Sequence, residues 1–307
     1  MLNSYTSSFS YYLRRVFLVQ AAVLLVLLGA SVILVRNYVE PHDRVIKSLD
    51  LIQKEKATNA AFGDSHFAWG FVGQPDFPTL GAEGETIPDM ELRVRYYFRD
   101  KQPGKVVIQG DPHSFAGYKV DRATHEYLHN MDNQFWQRFI EHHRQYMGLY
   151  WERVMERGGF DVFRPADELS WGWIVGHEQW SSLDSNVRKG LARNREGYQK
   201  PDPGFRNQEP AQSLKRTLEY LRRRGADVCV VTTPVSPEYY TYAKADSSTA
   251  DAINYVARVA EQTGARYRNF FGLFAEPKFA NYFRDMDHLN EIGAPRFTEK
   301  ALAACFD

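Results

Sequence analysis

Twenty consecutive uncharged residues, Val16 to Val35, constrain this chain more than any other feature. Gln20 and Ser31 are the most polar side chains in the run. At about 1.5 Å per residue, a helix of that length covers roughly 30 Å, the thickness of a bilayer's hydrocarbon core. Arg14 and Arg15 precede the run and Arg36 follows it. The excess of arginine on the short N-terminal side places residues 1–15 in the cytoplasm and residues 37–307 outside. A cleaved signal peptide is the alternative, but its apolar core is only about 7–15 residues long. The expectation is therefore an uncleaved anchor in a cytoplasmic or inner membrane, with the rest of the chain on the extracytoplasmic, periplasmic side.

Lys plus Arg and Asp plus Glu both number 38, and residues 1–36 hold three arginines and no acid, so the exported part carries −3. That balance, with no basic patch interleaved with aromatics, points away from nucleic acid. Apolar residues make up 44% of the chain, enough for a substantial core. The 14% of Trp, Tyr and Phe is accounted for by such a core, with a sugar-stacking surface as the alternative. Cys229 lies in the apolar run Asp227–Val231 and reads as a buried strand residue. With Cys305 it makes neither a disulfide framework nor a zinc pattern. Nothing in the sequence calls for a cofactor.

Beyond the anchor (1–36), residues 37–56 read as a polar helical stalk, and residues 57–307 as an α/β domain with a mostly parallel sheet flanked by helices. Short apolar runs alternate with helical spacing. Thr58–Gly63, Phe77–Leu80, Lys105–Gln109, Val228–Thr232 and Ala265–Phe271 are strand-like. Ile87–Asp100, the face Leu214/Leu218/Leu221, the face Ile253/Val256/Val259 and Ile292–Ala304 are helical. Gly225 and Gly264 are stop signals. Residues 113–212 interrupt the domain and contain Trp136, Trp151, Trp171, Trp173 and Trp180. They are expected to form a helical cap, with Asn186 to Glu209 as a loop. Ligands in parallel sheets bind at the C-terminal strand ends.

Ser65 follows the first strand in Phe62-Gly63-Asp64-Ser65-His66, a turn that would lift its hydroxyl to that edge. A serine needs a base, an acid to orient the base, and donors for the developing oxyanion. In Asp285-Met286-Asp287-His288 the carboxylate of Asp285, three residues before His288, can reach one ring nitrogen and leave the other for Ser65. Asp287 is a competing acid, though an immediate neighbour is poorly placed to orient the ring. His66 and His113 are further pocket candidates. His142 and His143 read as surface residues, and Tyr239 and Tyr240 as either sugar contacts or loop packing.

The order and spacing of Phe62-Gly63-Asp64-Ser65, the glycines of Leu80-Gly81-Ala82-Glu83-Gly84, the strand end Gly110-Asp111 and Asp285-x-x-His288 resemble the SGNH (GDSL-like) hydrolase superfamily, over roughly residues 57–112 and 226–307. The resemblance implies a three-layer fold, ester attack by Ser65, general acid–base chemistry by His288 and orientation by Asp285. It also implies an oxyanion hole from the Ser65 N–H and Gly84. The family's third donor is an asparagine. Here the corresponding segment is Gly110-Asp111-Pro112-His113, so His113 or Gln109 supplies the donor or the hole has only two. The anchor, the large insertion and the run from Asp285 to Gly293 resemble anchored proteins that work with membrane-bound O-acyltransferases (MBOATs). They imply acyl, chiefly acetyl, transfer to or from a cell-surface or secreted polysaccharide, with a multi-span O-acyltransferase partner. A membrane-anchored esterase that only hydrolyses and a non-catalytic assembly subunit are the alternatives. A separate motif, His125-Glu126-Tyr127-Leu128-His129, matches the zinc-protease pattern. His125 and His129 would bind the metal, with no clear third ligand beyond Glu141 or Glu152.

Overall fold

Four short strands, β1 (Ala60–Phe62), β2 (Lys105–Gln109), β3 (Asp227–Thr232) and β4 (Arg266–Asn269), pair in that order, all parallel. The register sets Ala61 beside Val107, Val107 beside Cys229 and Val231 beside Arg268. These positions belong to a computed structural model that describes residues 3–39, 51–120, 136, 139, 140 and 180–307. The described residues fall into two units, the N-terminal helix in one and the α/β domain, residues 51–120 and 180–307, in the other.

Successive strand residues point to opposite faces of a sheet, and here both faces are covered, so β2 and β3 are apolar almost throughout. On one face Phe62, Val106, Ile108, Val228 and Val230 pack under the helices Ile87–Tyr97, Glu209–Arg223 and Ser247–Gln262. Leu214, Leu218 and Leu221 are fully buried there. At about 1.5–3 kcal/mol per buried leucine they are the main hold on their helix. On the other face Ala61, Val107, Cys229 and Val231 meet Phe67 and Phe71 and the C-terminal helix Gly293–Phe306. The result is a three-layer α/β/α domain. Gly225 and Gly264 take φ of +77° and +73°, the left-handed turn that ends a helix and admits the next strand without a Cβ clash.

The segment expected as a strand at Phe77–Leu80 makes a single parallel bridge, Thr79 beside Ala61. It nevertheless sets the topology. The chain leaves β1, pairs on one side of it at Thr79, then crosses to β2 on the other side. β1 is therefore the switch point of the sheet, where its C-terminal end opens a crevice.

Three expectations need correction. Residues 185–199, expected as a loop, form the helix Ser185–Gln199, capped by Asp184. Its inward face is polar: Arg188 binds Glu238, and Arg195 and Gln199 both bind Asp287. Helical periodicity was therefore carried by charge rather than by apolar residues. The ends of the insertion, residues 112–120 and 180–212, belong to the domain. Trp180 is buried, with its indole N–H on Glu238. Cys229 and Cys305 form a disulfide with Cα atoms 5.7 Å apart, tying β3 to the last helix. The sequence separation hid it, because the pairing needs the sheet to bring the two together.

In the first unit the helix Asn3–Leu34 continues through Val35–Val39. The segment Phe9–Asn37 is long and apolar enough to cross a membrane, and Phe17, Leu24, Leu25 and Val26 are all more than half exposed. Most of the expected stalk, and His125, His129, Glu141, His142, His143, Trp151, Glu152, Trp171 and Trp173, lie outside the described residues.

Candidate active site

Asp64 builds the site's floor. Directly after β1 it caps the short helix Ser65–Gly70, its carboxylate accepting the His66 N–H at 3.0 Å. Gly63 has to be glycine, because a Cβ would lie 2.2 Å from the Gln109 side chain. Gln109, the last residue of β2, accepts the Asp64 N–H and donates to both Asp64 and Asp111. Asp111 in turn accepts from the N–H and hydroxyl of Thr233, just past β3. Three successive strand ends are thus stitched together beneath Ser65.

Ser65 Oγ lies 2.8 Å from His288 Nε2. His288 Nδ1 is 3.0 Å from each oxygen of Asp285. Asp285 is itself fixed, because its Oδ1 accepts the N–H groups of Asp287 and His288. A carboxylate can only accept, so the Nδ1 proton points to Asp285 and Nε2 is left to face the serine. The structure therefore brings the three residues together in the order hydroxyl, imidazole, carboxylate.

Asp287, the competing acid, lies close to the same ring nitrogen without hydrogen-bonding it. Its Oδ1 sits 3.3 Å from His288 Nδ1, and the side chain is 1% exposed. The tight turn, with the Asp287 and His288 N–H groups both on Asp285, folds the neighbour back toward the ring. Arg195 at 3.0 Å and Gln199 at 2.7 Å hold its other oxygen. Gln199 accepts in turn from the hydroxyl of Tyr239, which is buried packing, not a sugar contact. Arg195 and Gln199 lie one turn apart in a polar stretch, the one signal by which sequence reading could have found them.

His66 and His113 are buried beside Ser65 and His288. His66 Nδ1 meets Asp64 at 3.0 Å and its Nε2 lies 3.5 Å from Asp287. The ring is stacked on His288, centroids 4.5 Å apart, and tilted over His113 at 4.2 Å. His113 Nε2 is committed to Asp64 at 2.7 Å. The Gln109 amide is spent on Asp64 and Asp111, and His113 Nε2 on Asp64, so neither group is free as it stands to serve as a third donor. The glycine packed on the serine's helix is Gly81, where a Cβ would approach Ala68 N to 2.5 Å. Gly84 follows in the same loop with φ of +71°. The Ser65 N–H makes no hydrogen bond among the described residues.

The electrostatics follow from these contacts. Burial disfavours a charged His288, but Asp285 and Asp287 outweigh it and the pKa rises to about 10. Burial also opposes charge on His66, and Asp64 overrides this to give about 9. His113 is held below its ordinary value, chiefly by burial. Burial would raise Asp64, but Lys119, then His113 and His66, hold it well below the carboxylate range. Arg195 does the same for Asp287. Two clusters, Asp64/His66/His113 and His66/Asp287/His288, bring their polar atoms within 4.8 Å. Lys119 at 3.2 Å from Asp64 and Arg195 at 3.0 Å from Asp287 already supply the positive charge there, so neither cluster fits a metal cation.

No family model matches the sequence, and neither does any curated protein. Ten chains of known structure are similar in fold, among them the following three. A candidate acylhydrolase from Bacteroides fragilis shares 10% identity at a TM-score of 0.42, covering 84% of this chain and 95% of that one. A GDSL-like lipase from Bacteroides thetaiotaomicron shares 12% at 0.39, covering 86% and 96%. Phospholipase A1 from Streptomyces albidoflavus shares 10% at 0.41, covering 80% and 98%. With TM-scores this low, the likenesses say nothing of this chain's chemistry, which has to come from its own side chains.

Proposed function

We propose that this protein is a serine-dependent ester hydrolase or acyltransferase of the SGNH type. The observation that carries the proposal is the connected set Ser65 Oγ, His288 Nε2 and Asp285, at 2.8 Å and 3.0 Å. Ser65 attacks the acyl carbonyl as His288 takes its proton. The Ser65 N–H receives the developing negative charge. His288 then returns the proton to the departing alcohol, leaving an acyl-serine. Water completes hydrolysis, and a sugar hydroxyl completes transfer. Base chemistry needs the neutral ring, so the rate follows the deprotonated fraction of His288.

The substrate we propose is an O-acyl, chiefly O-acetyl, group on a cell-surface or secreted polysaccharide, handled with a multi-span O-acyltransferase partner outside the membrane. The apolar helix and the sequence resemblance support this. The Cys229–Cys305 disulfide also supports the extracytoplasmic side, since such bonds persist in oxidising compartments. The test is turnover of a small aryl acetate by the full chain in detergent. Wild type should turn over, and Ser65→Ala should lose at least about 10³-fold. A serine-directed fluorophosphonate should label Ser65 in wild type only. Equal rates in wild type and Ser65→Ala would sink the proposal. Acetylated polymer on adding a polysaccharide acceptor would select transfer over hydrolysis.

A further inference from the structure

One turn beyond the nucleophile, Trp69 stands exposed on the same face of its helix. It is 44% accessible, and residues at i and i+4 have Cβ atoms about 5–6 Å apart. The turn carrying the base straddles this face. Phe283 bridges Leu289, and the Arg284 N–H donates to the His288 carbonyl at 3.0 Å. Residues 284 and 288 thus form two rungs. His288 reaches Ser65, and Arg284 reaches Trp69 with its guanidinium 3.8 Å from the ring centroid.

Arg284 has no carboxylate partner among the described residues. Nearly every other arginine around the site is bound to an acid: Arg93 to Glu85, Arg188 to Glu238 and Arg195 to Asp287. A guanidinium stacked on an indole face leaves the N–H fork in its own plane available to a planar anion. One face of Trp69 is covered by that cation, so its exposure lies on the remaining face and edge. This is the surface on which the C–H face of a sugar ring stacks.

We propose that Trp69 and Arg284 form a subsite for an anionic sugar, a glycan bearing a carboxylate or phosphate, adjoining the acyl group that Ser65 attacks. Trp69 supplies the stacking platform. Arg284 supplies a two-pronged donor to the anion, and the shared turn holds both in register with His288. This rests on the proposed serine chemistry. Binding, however, is measured apart from it, in the full-length Ser65→Ala protein in detergent.

The probes are a glucuronate hexasaccharide, maltohexaose phosphate and neutral maltohexaose, followed by calorimetry and by Trp fluorescence. Adding Arg284→Gln should weaken at least one anionic probe by roughly tenfold or more, the size of a lost charged hydrogen bond, with neutral maltohexaose changing less than about twofold. Which anionic probe is affected identifies the anion. Adding Trp69→Ala should weaken the anionic and neutral probes alike. Arg284→Lys, the milder variant should the glutamine not fold, should retain part of the affinity and lose it with added salt. Equal effects of Arg284→Gln on charged and neutral probes, or no binding of any probe, would overturn the subsite. Ser65-dependent aryl acetate turnover in wild type would stand in either case.

Discussion

The disulfide allows the most direct quantitative test. Cys229 and Cys305 are 76 residues apart in sequence, and both are buried. In the chain-entropy description, closing a loop of that length removes about 15 cal/mol/K from the unfolded ensemble, or about 4.5 kcal/mol at 25 °C. For a domain of 150–250 residues, one kcal/mol moves the midpoint by roughly 2–4 °C. Reduction should therefore lower the thermal midpoint of the α/β domain by roughly 9–18 °C. The loop so closed also contains Asp285 and His288, so esterase activity should be lost at lower temperature in parallel. The assay is thermal unfolding of the full chain in detergent by near-UV circular dichroism, with and without reductant, and with thiols counted in the untreated protein. Two free thiols in protein taken from the membrane fraction, or a midpoint unmoved by reductant, would refute both the bond and its support for an extracytoplasmic location.

Asp287→Asn removes one of the two carboxylates that raise His288. The free-enzyme pH profile should climb through a base whose pKa lies near 10 in the wild type. The climbing limb should move to lower pH in the variant, measured as kcat/KM on a small aryl ester. An unmoved limb would show that Asp285 alone sets the base. Stability has a matching sign. His288 has a folded pKa above its unfolded one, so its contribution is full below about pH 6.5 and is lost as pH rises toward about 10. Denaturant titration across that range should show the decline, and His288→Gln should remove its share of it. Arg93 is fully buried and its guanidinium lies 2.6 Å from Glu85. Burial already pushes Glu85 up to about 8 against the pull of Arg93, so Arg93→Met should raise it further and make denaturant stability fall more steeply as pH rises above about 8.

The central strands β2 and β3 were readable because they are apolar, short and bounded by glycine, as at Gly104 and Gly110, whereas β4 is Arg266-Tyr267-Arg268-Asn269 and only partly buried. The serine and its distant base were readable because Asp285-x-x-His288 fits one turn, whatever surrounds it. The supporting shell was not. Arg195, Gln199 and Lys119 are polar residues whose inward direction depends on what they meet, and nothing local marks a buried arginine from a surface one. His113 shows the converse. Its position after the third strand-end block suggested a donor to substrate, but Asp64, 49 residues earlier, takes its Nε2. Asp287 was discounted as the immediate neighbour of His288, but the bends onto Asp285 bring its Oδ1 within 3.3 Å of the ring.

The nucleophile and its base are separated by 223 residues. At a synthesis rate of about 5–20 residues per second, Ser65 emerges roughly 10–45 s before His288 exists. During that interval no part of the nascent chain can activate the serine. On the proposed serine chemistry, maturation is therefore a checkpoint: a copy becomes competent only once the turn carrying Asp285 and His288 has docked against Ser65.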